Sequence, residues 1–457
     1  MTSLEIARRA PRRRLPELRG WRRDDAAAIV RLAAPVAGLA LVNMAMSVTD
    51  TLMTAAFGPT ALAAVAVASD AYSIVFYLAI GCIGGLAPLY AAAHAAHAAH
   101  DDARLARLRA AGWTVAGLLA APLAMLVFCG PDLLRHLGID ARLVGDGAGY
   151  MRAMALTLVP MLAVAVLRTR LTAIERPAIM LKITLAAVPL NAVLNHLLMH
   201  GAGGVAGLGV TGAGVSSLVV ASVILAALAV ETRRVGDRGL AWPRRGEIVE
   251  VFRIGVPIGV ATLAEVGVYL GATLYAATLS VADAAAHSVA IRTAGVTYAV
   301  YIGLQQSAMV RIAREGTSAA RRRSIAATAL GIGIAAGVGL MAVVVALAGP
   351  LPAIVLGEAD VVAARIAAAL LVLLALSDLF GPGGAVAAGL LRGIRVTRPV
   401  MAWSLLGNWL VAVPLGIALT LGAGMGAVGI WIALATGTVV SSVLTIRALV
   451  RHILAGG

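Results

Sequence analysis

Apolar residues fill long, uninterrupted runs of this chain, and the charged residues are gathered in short segments between them. Twelve of the runs reach the length of about 20 residues that an α-helix needs to cross a bilayer. Because backbone groups in lipid must bond within their own segment, the runs predict helices and not strands. They lie at residues 28–51, 60–92, 110–130, 147–167, 178–199, 206–230, 248–279, 283–310, 324–349, 360–391, 399–421 and 426–447.

The longest polar break, ETRRVGDRGLAWPRRGE from Glu231 to Glu247, divides the runs into two sets of six. It predicts four regions: a basic cytosolic tail at 1–26, an N-lobe with helices 1–6 at 27–232, a cytosolic linker at 233–247, and a C-lobe with helices 7–12 at 248–457. The tail is rich in arginine and has no small-residue cleavage site, so we interpret it as retained.

The two sets of runs are also related as an internal repeat with an offset of 222 residues. RLAAP at 31–35 aligns with RIGVP at 253–257, and GLGVTG at 207–212 faces GMGAVG at 424–429 after a five-residue deletion. Six helices separate the copies, an even number, so both copies have the same orientation. The predicted fold is an all-α integral membrane protein, with twelve transmembrane helices in two parallel-related six-helix lobes around a central cavity.

The composition supports a lipid environment. Hydrophobic residues make up 61% of the chain and charged residues 13%, against about 45–50% and about 25% in soluble domains. The net charge of +15 lies between the apolar runs instead of forming one patch, so we expect no nucleic-acid partner. Cys82 and Cys129 fall inside apolar runs and imply no disulfide.

Basic residues predict the orientation in the membrane, because cytoplasmic loops keep arginine and lysine. Nearly all of the 37 basic residues lie in the tail and in every second loop. The remaining loops hold only Arg135, Arg142, Arg152 and Arg365, and only Arg292 is predicted plainly within a helix. Both termini are therefore expected in the cytoplasm.

Four acids interrupt the apolar runs: Asp50, Asp70, Glu265 and Asp378. Acids inside a bilayer are costly, and they face a partner or a watery cavity. The repeat aligns Glu265 with Asn43, which lies two helical turns before Asp50, so the first helix of each lobe is expected to turn a polar stripe toward the central axis.

Two interpretations of these acids stay open. Each acid could make one structural hydrogen bond between helices, worth about 0.6–2 kcal/mol. Alternatively, burial favours the protonated form of a carboxyl group, so the acids could take up and release H⁺. Oxygen ligands also suit Na⁺, for which Glu265 and Asp378 are candidates.

Other polar and aromatic residues fall within the predicted helices. His287 is either a packing histidine or a proton relay, and the run of His94, His97 and His100 is expected on a solvated helix face. GLGVTG matches a dinucleotide fingerprint but lacks the strand that should precede it. The candidate cavity-lining residues are Asn43, Asp70, Tyr72, Tyr77, Tyr269, His287, Tyr298 and Tyr301.

Several segments, in order and spacing, resemble those of the multidrug and toxic compound extrusion (MATE) family, norfloxacin-exporter branch. TDTLMTAAFG resembles the first-helix motif, RIGVPIGVATLAEV the seventh and AAAHSVAIR the eighth. LALSDLFGPGGAVAAGLLRGIRVTRP resembles the tenth. The loop HAAHAAHDDARLAR and the added acid Asp70 depart from the family pattern.

The resemblance implies a monomeric secondary transporter of a bacterial inner membrane that exports organic, often cationic, compounds in exchange for Na⁺ or H⁺. It places the coupling site on Asp50, Glu265 and Asp378, and implies no cofactor. A rival is a lipid or lipid-linked oligosaccharide flippase of the same superfamily, against which the single helical arginine argues. A membrane-embedded enzyme is a second rival, but no HExxH or GxSxG motif is present.

Overall fold

A computed structural model describes residues 23–97, 102–136, 138, 141–234, 241–316, 318–357 and 360–454. Most of the predicted tail and part of the predicted linker lie outside the described residues, as do His100 and the side chain of His97. His94 is half-buried just after the C-terminal end of the second run.

The N-terminal half begins with a long helix that starts inside the predicted tail. Its helices are α1 (Arg23–Ala55), α2 (Pro59–Gly84), α3 (Leu86–His97), α4 (Asp102–Phe128), α5 (Gly130–His136), α6 (Ala141–Ala173), α7 (Pro177–His200) and α8 (Val210–Arg234). Between α7 and α8, strands β1 (Gly201–Ala202) and β2 (Val205–Ala206) pair antiparallel, with Gly201 opposite Ala206.

The C-terminal half follows the same order. Its helices are α9 (Arg245–Ala276), α10 (Val281–Glu315), α11 (Ala319–Leu347), α12 (Pro350–Leu356), α13 (Val361–Gly393), α14 (Arg398–Leu405), α15 (Val413–Ile417) and α16 (Gly426–Leu449). Turns of π-helix continue α14, α15 and α16 at Leu406–Ala412, Ala418–Gly422 and Val450–Leu454. The first of these turns precedes Pro414, whose missing N–H interrupts regular helical bonding.

Local sequence explains where several helices begin. Pro59 and Pro177 occupy the first turn of α2 and α7, where a missing N–H has no cost. Ser280 and Ser318 cap α10 and α11, because each side chain accepts a hydrogen bond from a backbone N–H three residues later.

Among the described residues, eleven helical spans are long and apolar enough to cross a membrane. The twelfth long helix, α10, is outside this set because polar and charged residues recur along its 35 residues. It packs against α1 and α13 instead of facing lipid on all sides. The protein is an all-α membrane protein with twelve long spans in two six-helix lobes.

The lobes meet along two helix pairs related by the repeat, α2 with α9 and α10 with α1. A Cβ on Gly81 would lie 2.3 Å from the Cα of Gly259, and one on Gly303 would lie 2.6 Å from the carbonyl oxygen of Ala33 and 3.1 Å from the Cβ of Ala37. Gly81 and Gly303 occupy equivalent repeat positions. Small residues therefore let the backbones of opposite lobes touch at both crossings.

Several helices run further than their apolar runs predicted. The sequence placed Arg168, Arg170 and Arg392 in loops, but α6 continues to Ala173 and α13 to Gly393. The prediction that Arg292 alone lies plainly within a helix is therefore wrong. Basic residues are favourable in the last turn of a helix, where they interact with its free carbonyl groups.

Candidate functional site

Asp50, near the C-terminal end of α1, is bonded to α7 of its own lobe. Its Oδ1 accepts hydrogen bonds from Asn191 Nδ2 at 2.7 Å and from Asn195 Nδ2 at 2.6 Å. Both asparagines are almost fully buried, and the Oδ1 of Asn195 has no hydrogen-bond partner among the described residues. The result is a half-buried carboxylate bonded within its own lobe, with an unpartnered amide oxygen beside it.

Asn191 and Asn195 did not emerge from the sequence, although a signal was present. They stand four residues apart in PLNAVLNHL, inside an apolar run, and that spacing places two side chains on one helix face. Two amides on one face of a membrane helix require a polar partner, which Asp50 supplies.

Glu265 of α9 is held by two hydroxyl groups at long distances. Tyr298 of α10 donates to its Oε2 at 3.4 Å, and Ser404 of α14 lies 3.3 Å from its Oε1. The same Ser404 hydroxyl is 3.2 Å from the carbonyl oxygen of Ala261, and its one hydrogen can serve only one acceptor. The carboxyl group of Glu265 is therefore weakly satisfied and can accept further contacts.

Asp378 is fully buried in the middle of α13. Tyr301 donates a hydrogen bond to its Oδ1 at 2.6 Å, whereas Oδ2 has no partner among the described residues. Gly381, one turn further along α13, makes this approach possible, because a Cβ there would lie 2.3 Å from the ring of Tyr301. Because Gly381 has no side chain, the ring of Tyr301 can lie against the backbone of α13 and its hydroxyl can reach Asp378.

Tyr298 and Tyr301 connect the two acids of the C-lobe. Their ring centroids are 5.8 Å apart, and each hydroxyl reaches a different acid. The structure therefore brings Glu265, Asp378, Tyr298 and Tyr301 into one cluster, the C-lobe cluster. Asp50 lies apart from it in the other lobe.

Arg392 provides a positive charge near the C-lobe cluster. It is 5% exposed, and its Nη1 donates to Gln305 Oε1 at 2.8 Å. Its Nε and Nη2 lack hydrogen-bond partners within the described part of the chain. The guanidinium group is close enough to interact electrostatically with Glu265 and Tyr298.

The remaining candidate cavity residues are placed differently. Asn43 is exposed on α1, and Asp70 is half-buried on α2 with no hydrogen bond or ion pair to the described residues. Tyr72 is buried in the N-lobe core and stacks on Phe76 at 5.6 Å, while Tyr77 is half-buried beside Phe76 on the same helix. Tyr269 packs at the edge of the C-lobe core.

His287 is fully engaged inside the C-lobe. Its Nδ1 accepts a hydrogen bond from Trp431 Nε1 at 3.1 Å, and its Nε2 is 3.0 Å from the hydroxyl of Thr273. Indole nitrogen is only a donor, so Nδ1 carries no proton and the hydrogen of the neutral ring is on Nε2. This arrangement joins α9, α10 and α16 and fits the packing interpretation of His287.

We predict that Gly381→Ala lowers transport at least fivefold, because the added methyl group occupies the place of the Tyr301 ring and separates its hydroxyl from Asp378. Gly383→Ala is the matched control on the same helix, since its Cβ would meet only Ile446 at 3.6 Å. Efflux from cells or vesicles that contain equal amounts of each protein measures the effect. Equal transport by the two variants would contradict the assigned role of the contact.

The lobes, their small-residue crossings and the buried acids define a polytopic membrane protein of the transporter class. The MatE family model matches the chain twice, at residues 35–197 and 257–418, and the two matches begin 222 residues apart. This spacing confirms the internal repeat. The chain belongs to the MatE family.

Two curated relatives cover almost the whole chain. "Probable multidrug resistance protein NorM" of Bradyrhizobium diazoefficiens is 31% identical, over 94% of this chain and 95% of the relative. The protein of the same name from Pseudomonas aeruginosa is 30% identical, over 90% of this chain and 86% of the relative.

Solved structures share the fold. The eukaryotic MATE transporter AtDTX14 matches with a TM-score of 0.81 at 20% identity, covering 93% of this chain and 96% of the other. A multidrug resistance MATE family transporter in an outward-facing conformation matches with a TM-score of 0.80 at 17% identity, covering 94% and 96%. The predicted fold class and family are confirmed.

Proposed function

We propose that the protein is a secondary active exporter of drugs or toxins, which antiports organic cations against Na⁺ or H⁺ by rocking alternating access. The observation that carries this proposal is the set of carboxyl groups with unused bonding capacity inside the helices, the half-buried Asp50 in one lobe and the half-buried Glu265 and buried Asp378 in the other. The multidrug names of its curated relatives support the export of organic compounds.

The oxygen atoms around these acids support exchange of a small cation. In the N-lobe, Asp50 and the unpartnered Oδ1 of Asn195 lie together. In the C-lobe, Asp378 offers an unpartnered Oδ2 beside its Tyr301 bond. A proton placed on Asp378, or Na⁺ held between such oxygens, would satisfy buried acceptors that otherwise remain unbonded.

Asp70 and the tyrosines support a cationic organic substrate. Asp70 has no partner among the described residues. It lies on the same face of α2 as Gly81, which is three turns further in and touches α9. An acid in this position attracts cations, and the faces of Tyr77 and Tyr298 can stack on planar rings or bind quaternary nitrogen. We assign substrate recognition to this part of the cleft.

Coupling in this scheme requires that ion and substrate stabilise different states, since a ligand with equal affinity for both shifts nothing. Cation binding at the acids favours the outward-open state and substrate release. The empty acids favour substrate capture from the cytoplasm. Each positive charge that moves inward contributes about 2.3 kcal/mol per 100 mV of membrane potential.

The protein is proposed to act as a monomer in the bacterial inner membrane, with both termini in the cytoplasm. The arginine-rich ends of the helices support this orientation, because basic residues stay on the cytoplasmic side. The buried Arg170 and Arg392 remove the sequence argument against a lipid cargo, so lipid is included as a substrate in the test.

The decisive experiment is transport in proteoliposomes under an imposed Na⁺ gradient or an imposed pH gradient. We expect one gradient to drive the accumulation of ethidium or norfloxacin, and the reversed gradient to reverse it. Accumulation that ignores both gradients, or translocation of a fluorescent phospholipid without transport of either drug, would overturn the proposal.

A further inference from the structure

Two acids at equivalent positions of the repeat accept salt bridges across the boundary between the lobes. Asp25 lies in the first turn of α1, and Glu247 lies 222 residues later in the first turn of α9. Each acid pairs with an arginine near the start of the third long helix of the opposite lobe. Asp25 pairs with Arg321 of α11, and Glu247 pairs with Arg107 of α4.

The Asp25 bridge is the more buried of the two. The side chain of Asp25 is 1% exposed, and Arg321 donates to both of its oxygens, with Nη2 at 2.8 Å from Oδ1. Arg311 of α10 adds Nε at 2.9 Å and Nη2 at 2.7 Å on the same Oδ1. One acid of the N-lobe thus holds two guanidinium groups of the C-lobe.

The Glu247 bridge is simpler, because a single arginine makes it. Arg107 Nε lies 2.6 Å from Glu247 Oε1, and the two side chains are 21% and 14% exposed. The second carboxylate oxygen accepts the backbone N–H of Arg244 at 2.7 Å, which fixes the acid at the start of α9. Glu247 is therefore already positioned when Arg107 reaches it.

We propose that these two bridges form an inner latch, which holds the lobes together on the arginine-rich side and must open before the cleft can open there. This proposal rests on the alternating access described under Proposed function. The repeat places one bridge on each side of the axis at the same end of the molecule, so both resist the same rocking motion. Arg314 adds a third contact between the lobes, with the carbonyl oxygen of Ala173 at 3.2 Å.

On the outer side of the lobe boundary, the helices of the two lobes are separated. Gly81 of α2 and the following Gly85 are buried against α9, whereas Ile74, two turns further out on the same face, is exposed. On α10, Gly303 is buried against α1.

On the outer half of α10, Gly295 still lies against the side chain of Met44 of α1, but Ser288 and Arg292 beyond it are exposed. Both pairs of helices therefore touch on the inner side and separate on the outer side. The latch is closed while the outer cleft is open, as expected for a device that excludes the second open state.

The latch also accounts for the types of residue involved. A buried acid that faces two arginines is stable only while the lobes are together, because separation without water entry would leave charges unpaired. Once water enters, the same charges are solvated and the cost falls. Salt bridges at the lobe boundary therefore favour the fully closed and the fully open state over partly separated ones. An apolar contact at the same place would favour only the closed state.

The test measures conformation independently of transport. Spin labels are placed on cysteines at Ala103 and Ala320 for the inner side, and at Leu208 and Leu421 for the outer side, with Cys82 and Cys129 changed to alanine. All four label positions are exposed. Double electron–electron resonance then gives the inner and outer distance distributions of the purified protein without substrate.

We expect Glu247→Gln combined with Asp25→Asn to raise the inner-open fraction at least tenfold, with longer inner distances and shorter outer ones. Glu247→Gln alone gives a smaller shift in the same direction. The exchange of charges in Arg107→Glu with Glu247→Arg restores the wild-type distributions, whereas Arg107→Glu alone does not. Asp132→Asn, on the exposed helix α5, is the control and leaves both distances unchanged.

Wild-type distributions in Glu247→Gln and in Arg107→Glu would overturn the latch, and so would a failure of the exchanged pair to restore them. If the distances shift as expected but no ion gradient drives transport, the proposed function fails and the latch stands. If transport is gradient-driven but the distances do not shift, the latch fails and the proposed function stands.

Discussion

Asp50→Asn protein is expected to insert and fold normally but to lose gradient-driven efflux at least tenfold. The substitution keeps the size and planar shape of the side chain, and its amide oxygen can still accept the Nδ2 groups of Asn191 and Asn195. It removes the one charge at this place, however, so neither H⁺ nor Na⁺ can be exchanged there. Efflux assays in cells and in proteoliposomes measure the loss.

Asp132→Asn is the matched control, because Asp132 is exposed and its one ion-pair partner in the described part of the chain is Arg135, one turn away on α5. Surface pairs of this kind contribute about 0–1 kcal/mol, so the control should transport like wild type. Wild-type transport by Asp50→Asn, at equal protein levels, would assign the acid to the structural hydrogen bond that the sequence left open.

The fold was predictable because lipid imposes strict rules on sequence. A spanning helix needs a long apolar run, and each of the twelve runs became a helix. Boundaries were less accurate, since charged residues such as Arg107 and Arg392 continue helices beyond the apolar region. The run at 283–310 was identified as apolar and became α10, although polar and charged residues recur along that helix.

The acids of the candidate site could be located from the sequence, but not their partners. An isolated carboxyl group in an apolar run is conspicuous. Asn191, Ser404 and Tyr301, which bond the acids, come from other helices, and only the packing of the bundle decides which of many polar residues meet them. Asp50 illustrates the limit, because the sequence did not predict its hydrogen bonds to α7.

Charge pairs at the helix ends were invisible for a related reason. Asp25 lies among the arginines of a segment that the sequence assigned to the tail, and nothing local distinguishes it from a solvated residue. The repeat contained the signal, since Asp25 and Glu247 are equivalent. It becomes informative only when the structure brings Arg321 and Arg107 from the opposite lobes.

Glu265→Gln protein is expected to lose gradient-driven efflux at least tenfold and also to unfold at a lower temperature than wild type. Glu265 interacts electrostatically with Arg392. The Nε and Nη2 of Arg392 have no hydrogen-bond partner in the described part of the chain. Removal of the carboxylate takes away a charge that favours the buried guanidinium group, so the folded state becomes less stable. The loss of coupling charge and the loss of stability thus have separate causes.

The double variant Glu265→Gln with Arg392→Gln separates these causes. Without the buried guanidinium charge, its unfolding temperature should return toward that of wild type, while efflux stays at least tenfold reduced because the carboxyl group is still absent. Glu231→Gln, near the C-terminal end of α8, is the control and should change neither quantity. If the double variant regained transport as well as stability, Glu265 would serve only to neutralise Arg392, and the coupling role would pass to Asp378 and Asp50.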